Sequence, residues 1–211
     1  MKRVVITGLG CITPVGNDVP ALWDSLIHGR YGFGPITKFD AADMKVRLAA
    51  EVKGFDPARY MEKSEARKTD LYAQYAIAAA AQAVEESGVV GTVEPERLGV
   101  YIGSGIGGMN TFVDEAEKMV TKGAGRISPF FIPMMIGNMA SALIAMRVEA
   151  RGVNLPVVTA CATSTHAIGE AFRAVKYGYA DAVIAGGAEA TVCKLAIGGF
   201  TNCMALSTTL D

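Results

Sequence analysis

The stretch Val157-Val158-Thr159-Ala160-Cys161-Ala162-Thr163-Ser164-Thr165-His166-Ala167-Ile168-Gly169-Glu170-Ala171 decides how this chain is read. An apolar run after Pro156 is long enough for a buried strand, ends at a cysteine, and passes without a break into helix-compatible residues. Small residues, Ala160 and Ala162, flank the sulfur. The pattern predicts Cys161 on a tight strand-to-helix turn, the geometry that exposes a nucleophile and aims a helix N-terminus at it. The helix dipole and the free N–H groups of the first turn favour negative charge there and can receive a developing oxyanion. A cysteine among small residues also fits a buried core thiol. The local pattern leaves both readings open.

Outward from this unit, strand and helix signals alternate. Arg3 to Thr7 reads as a first strand, followed by a loop through Gly8-Leu9-Gly10 to Pro14. Val19 to Ile27 reads as a short helix closed by His28-Gly29, with the histidine as a C-terminal helix charge before a glycine cap. Residues 31–60 carry Gly, Pro and Asp punctuation, with a short strand expected around Leu48 to Val52. Thr69 or Asp70 can cap a long alanine-rich helix that ends at Ser87-Gly88. Leu98 to Ile102 and Ala182 to Ala185 read as strands, and Thr111 to Val120 as a helix. Strands separated by helices predict an α/β fold, a mostly parallel sheet with helices on both faces.

Composition bounds the function. The 211 residues are 51% hydrophobic and carry a net charge of −1, which supplies a core but no electrostatic footprint for nucleic acid or an anionic membrane. Cys11, Cys161, Cys193 and Cys203 have neither zinc-ligand spacing nor a short disulfide framework, which suits a reducing cytoplasm. The apolar run after Lys2-Arg3 stops at once in a glycine loop, too short for a signal peptide. Residues 127–146 hold no charge, but Pro129 and Pro133 interrupt them, and Gly137, Ser141 and Ala145 recur every fourth position. The part after Pro133 reads as a fully buried helix or subunit interface with a close-packing stripe, not as a membrane span.

The glycine loops invite a nucleotide reading. Gly103-x-Gly105-x-x-Gly108 follows a strand, as the dinucleotide fingerprint requires. That fingerprint also needs an acidic residue about 20 positions on, where this chain has Ile127-Ser128-Pro129-Phe130. Neither this loop nor Gly8-Leu9-Gly10 is followed by a Walker lysine. No cofactor is therefore expected, and the alternative role for these glycines is to let backbones crowd a pocket beneath Cys161.

Six stretches together resemble the β-ketoacyl-acyl-carrier-protein synthases of type II fatty-acid synthesis, in the thiolase-like superfamily. They are Val4-Val5-Ile6-Thr7-Gly8-Leu9-Gly10, Gly103-Ser104-Gly105-Ile106-Gly107-Gly108, Ile127-Ser128-Pro129-Phe130-Phe131, Thr159-Ala160-Cys161, Ala185-Gly186-Gly187-Ala188-Glu189 and Gly198-Gly199-Phe200. The resemblance implies that residues 1–211 are the N-terminal half of a thiolase-like ketosynthase. It implies that Cys161 accepts an acyl group from a carrier-protein thioester, after which malonyl-carrier protein loses carbon dioxide and its carbanion attacks in a Claisen condensation. By the same resemblance Ile106 lines the acyl tunnel, Phe200 stands near its mouth, and Phe131 approaches from the other subunit of a dimer. Ordinary core packing is the alternative for all three.

Members of that family supply a pair of catalytic histidines and a lysine from a C-terminal half. This chain has two histidines, His28 and His166. His166 lies five helical steps of about 100° beyond Cys161, on another face, and is expected to make a structural hydrogen bond. The expectation is therefore acylation of Cys161 at most, with a carrier protein as partner and either a homodimer or a complementary C-terminal half completing the assembly. A missing half would expose an apolar face well above the few hundred Å² usual for a monomer. Met204 falls where the family usually has an arginine that helps dock the carrier protein, while Lys63, Arg67 and Lys68 offer an alternative basic dock or a solvated loop.

Overall fold

The alanine-rich segment forms the longest helix and organises the packing around it. In the computed structural model, which describes residues 3–209, the helices are α1 (Val19–Ile27), α2 (Lys63–Ala66), α3 (Leu71–Ser87), α4 (Met109–Lys122), α5 (Phe131–Met135), α6 (Met139–Arg147), α7 (Thr163–Lys176) and α8 (Lys194–Asn202). The strands are β1 (Phe33–Pro35), β2 (Leu48–Ala50), β3 (Leu98–Gly103) and β4 (Ala182–Gly187). Asp70 caps α3 by accepting from the Tyr72 N–H at 3.1 Å, and Gly88 ends it in the left-handed conformation that glycine adopts freely. Asp70 serves a second helix too, since its other oxygen accepts from the Thr111 N–H and hydroxyl near the start of α4.

β3 and β4 pair in parallel, in register from Leu98 opposite Ala182 to Gly103 opposite Gly187. All six residues of β3 are buried. Side chains alternate along a strand, so Val100 and Ile102 face one way and Tyr101 the other. Val100 and Ile102 join Tyr72, Ala76, Ile77, Ala140 and Ile144 in the core between the sheet, α3 and α6. Tyr101 packs with Ala167, Ala171 and Ala174 of α7. Helices thus cover both faces of a parallel pair, as the alternating pattern predicts. Each fully buried large side chain here, such as Ile77 or Ile144, contributes about 2 kcal/mol through removal from water. β1 and β2 form a separate antiparallel pair, and β1 was not expected from the sequence.

Three expectations are corrected. The uncharged segment does not form one fully buried helix. Pro133 is accommodated in the first turn of α5, the chain breaks at Ile136, and α6 buries one face through Ala140, Ser141 and Ile144 while Met146 is exposed. Residues 3–12 are extended but unpaired, with Val5 and Ile6 exposed. Residues 8–11 lie along α3, where Leu9 N–H donates to Glu86 and Cys11 N–H to Gln82. Gly10 approaches so closely that an added methyl would sit 1.9 Å from the Ala79 carbonyl oxygen. Residues 157–159 also fail to form a strand. Their chain segment bonds to β3 at Gly152, Val153 and Leu155, then leaves the ladder with Val158 62% exposed. Among the described residues no strand borders it on the far side, and an apolar run with one neighbour has little ladder to complete. No helix of the described residues is long and apolar enough to cross a membrane.

Candidate active site

The turn that carries Cys161 is built by residues on either side of it. Residues 160–162 make a single tight turn, α7 begins at Thr163, and the Cys161 side chain is exposed. Among the described residues the sulfur is not part of a core cluster. Ala160 adopts φ +51°, a left-handed conformation that costs a non-glycine residue about 1 kcal/mol or more. Neighbouring bonds hold it there. Thr163, itself buried, accepts from the Thr159 N–H at 2.9 Å through its hydroxyl oxygen, and Ala162 N–H donates to the Thr159 carbonyl at 3.1 Å. His166 Nδ1 lies 2.8 Å from Thr159 Oγ1, the structural contact expected of it. No side chain caps the start of α7, so its first-turn amides are not engaged by one.

The end of β3 sets the position of this turn. A methyl group on Gly103 would lie 2.1 Å from the Val157 carbonyl oxygen and 2.4 Å from Thr163 Cγ2, so only glycine lets the two segments approach. The loop that follows stacks on the cysteine turn, since a methyl on Gly105 would lie 3.6 Å from the Ala160 carbonyl oxygen. Its amides are already engaged within the chain. Ile106 N–H donates to Glu189 Oε2 at 3.0 Å, Gly107 N–H to Ser104 Oγ at 2.9 Å, and Gly108 N–H to the Met135 carbonyl at 2.9 Å. A carboxylate occupies the place a phosphate would need, which argues against a dinucleotide role for the loop. Burial pushes the Glu189 carboxyl above the ordinary glutamate range, partly offset by these hydrogen bonds.

The sequence matches the family described as "Beta-ketoacyl synthase, N-terminal domain" across residues 1–211. The chain belongs to the β-ketoacyl synthase N-terminal domain family. It is 46% identical to 3-oxoacyl-[acyl-carrier-protein] synthase 2 of Synechocystis sp. over 98% of this chain and 50% of the relative. The proteins of the same name from Staphylococcus aureus and Coxiella burnetii are also 46% identical, each matched over 51% of its length. The chain therefore spans about half the length of the curated relatives it matches. Among solved structures, the ishigamide ketosynthase/chain length factor superposes with TM-score 0.87 at 29% identity, covering 96% of this chain and 51% of that one. A β-ketoacyl synthase from Burkholderia phymatum gives 0.85 at 26% identity, with 99% and 52% coverage. A type II polyketide ketosynthase in complex with its acyl-carrier protein gives 0.81 at 25%, with 95% and 54% coverage. The fold is thus the thiolase-like fold of the ketosynthases.

Within this β-ketoacyl synthase domain the residues expected around the sulfur are unequally gathered. Ile106 is 40% exposed and sits on the loop stacked against Ala160. Phe131, half-buried, opens α5, whose far end meets the same loop at Met135. The segment before Phe131 is held by the buried Glu115, which accepts from the Ser128 N–H at 2.8 Å and pairs with Lys118. Phe200 is 42% exposed on α8, a separate element anchored by Lys194 to Asp43 at 3.0 Å. Met204 is 90% exposed, with φ +59°. Of the basic residues, Lys68 lies 5.0 Å over the Phe130 ring, and the nearby Glu65 pairs with Arg147 at 2.7 Å.

Glu189 and the Thr159–Thr163–His166 cluster were not singled out as site residues by sequence reasoning. The signals for Glu189 are its place two residues after the glycine end of β4 and its membership of the Ala185–Glu189 stretch.

Proposed function

We propose that Cys161 is the acyl acceptor of a β-ketoacyl-acyl-carrier-protein synthase in fatty-acid synthesis. The observation that carries this reading is the exposed sulfur on a strained turn at the start of α7, in a chain of the β-ketoacyl synthase family. In the first half-reaction the Cys161 thiolate attacks the carbonyl carbon of an acyl-carrier-protein thioester. The tetrahedral oxyanion collapses, the carrier's thiolate leaves, and the acyl group stays on the enzyme sulfur. The Cys161 amide and the uncapped first turn of α7 are the donors nearest that oxyanion. The second half-reaction, in which a malonyl thioester loses carbon dioxide and its carbanion attacks the acyl-enzyme, needs groups to stabilise an enolate. His28 and His166 do not supply them, the latter being engaged with Thr159. Residues 1–211 account for acylation. Condensation belongs to an assembly in which a C-terminal half supplies the remaining groups.

In this reading Ile106 borders the acyl chain, Phe131 approaches it from the other subunit of a dimer, and Phe200 stands near its entry. The partners are an acyl carrier protein and a protein surface that covers α7, either a second copy of the chain or a complementary half. The exposed Ile168 and Phe172 on α7, together with Val158, favour such a cover. The same exposed face supports a second reading, a non-catalytic half that only binds its complement or a carrier protein. The proposed site is cytoplasmic, the compartment where reduced cysteines persist. Intact mass after exposure to an acyl-carrier-protein thioester separates the two. A gain of one acyl group that disappears in Cys161→Ser is expected, and an unchanged mass in a folded sample contradicts the enzymatic reading.

A further inference from the structure

The Glu189 carboxylate spans the site from beneath. Its Oε2 accepts from the Ile106 N–H at 3.0 Å and lies 3.4 Å from the Ser104 hydroxyl, and Oε1 lies 3.4 Å from the Ala190 N–H. A methyl on Gly105 would stand 3.1 Å from Oε2 and 3.6 Å from the Ala160 carbonyl oxygen. The side-chain-free face of Gly105 therefore meets both this carboxylate and the residue that precedes Cys161. Among the described residues no salt bridge includes Glu189, so neutral donors alone hold it. The rest of the loop is held by Gly107, bonded to the Ser104 hydroxyl that itself reaches Glu189, and by Gly108, bonded to Met135 without the carboxylate. Removing the carboxylate would free the Ile106 amide and one partner of the Ser104 hydroxyl, while Gly108 stays bonded to Met135.

We propose that Glu189 is a positioning residue that fixes the backbone of Gly105 and Ile106 and thereby sets which acyl chains fit beside Cys161, an inference that rests on Cys161 being the acyl acceptor. The physical reason is geometric. The Ile106 side chain is partly exposed and free to border a chain, while its direction follows a backbone amide that Glu189 anchors across 83 positions of sequence. A small rotation of that peptide moves a branched apolar group into or out of the space an acyl chain would use. Acetyl, which does not reach far from the sulfur, is insensitive to it.

The test uses the full 211-residue chain, Glu189→Gln and Glu189→Ala. Acylation rates at Cys161 are measured by intact mass with acetyl and decanoyl thioesters of one carrier protein, and the Ile106 amide is followed by 1H–15N NMR. In Glu189→Ala the decanoyl-to-acetyl rate ratio is expected to change roughly tenfold, the scale of one lost charge-assisted hydrogen bond, while the acetyl rate stays within about twofold. Glu189→Gln keeps an acceptor and is expected to recover most of the ratio. The Ile106 amide resonance should move in both variants. A ratio unchanged in Glu189→Ala, or both rates falling together, overturns the proposal, as does an Ile106 resonance that ignores the substitution. If the parent chain accepts no acyl group from either thioester, the reading of Cys161 itself fails and the inference falls with it.

Discussion

β3 and residues 152–159 run side by side toward the same cysteine turn, yet one is a fully buried strand and the other an open edge. Both are rich in apolar residues. β3 has β4 on one side, the 152–155 segment on the other, and helices over both faces. The 157–159 run has β3 alone, and Val158 is left 62% exposed. The difference teaches that an apolar run becomes a strand when neighbours complete its ladder and its faces, and that composition by itself does not provide them. In this molecule the asymmetry has a use. The buried member is the rigid reference, and the open member delivers Cys161 to the surface.

Substitutions can break that contrast or sharpen it. Gly103→Ala attacks the point where the two segments touch, and because the intruding methyl meets a backbone oxygen at 2.1 Å it cannot be absorbed by a side-chain rotation. A loss of about 3 kcal/mol or more in urea unfolding is expected, with Cys161 displaced. The paired changes Val100→Thr and Val158→Thr place the same hydroxyl on the two members. With no partner covering α7, the first should cost about 2 kcal/mol by burying an extra polar group, and the second less than about 0.5 kcal/mol. Equal costs would mean that the edge segment is buried in solution, by a second copy or another partner.

A smaller effect reads the site from its pH dependence. Burial raises the Glu189 carboxyl above its ordinary range, so the folded state holds that proton more tightly than the unfolded chain does. Its contribution to stability is complete below the unfolded pKa and is lost as pH rises through the folded one. Glu189→Gln should remove this part of the decline in a denaturation series across the acid range. A decline of the same size in the variant would place its origin in other carboxyls.

Much of this was legible in the sequence where local rules govern. α1 spans Val19–Ile27 as expected, because Asp18 caps it, Pro20 opens it and Gly29 closes it. α3 ends at Ser87 because Gly88 can turn left-handed, and β3 and β4 needed only their apolar runs and bounding glycines. Cys161 stood out through its small neighbours and the helix signal behind it. What escaped depends on distant partners. Arg3 to Thr7 has strand composition but finds no strand partner, and the residues just after it, Leu9 and Cys11, give their amides to Glu86 and Gln82 of α3. Glu189 looks like any polar residue after a strand, and its role appears only when the fold brings it to Ile106. The short β1 was missed because Gly34 and Pro35 are poor strand formers that pair here with Ala49 and Leu48.

In the proposed function, position and not mere exposure makes Cys161 the acceptor. The chain contains its own control, since Cys203 is also exposed, with its sulfur 3.3 Å from the Phe200 carbonyl. The most direct measurement is fragmentation mass spectrometry of the tryptic peptides after brief exposure to an acyl-carrier-protein thioester. The acyl group is predicted on the peptide of residues 152–173, at Cys161, with Cys203 unmodified. Equal labelling of both cysteines, or labelling of Cys203 alone, would contradict it.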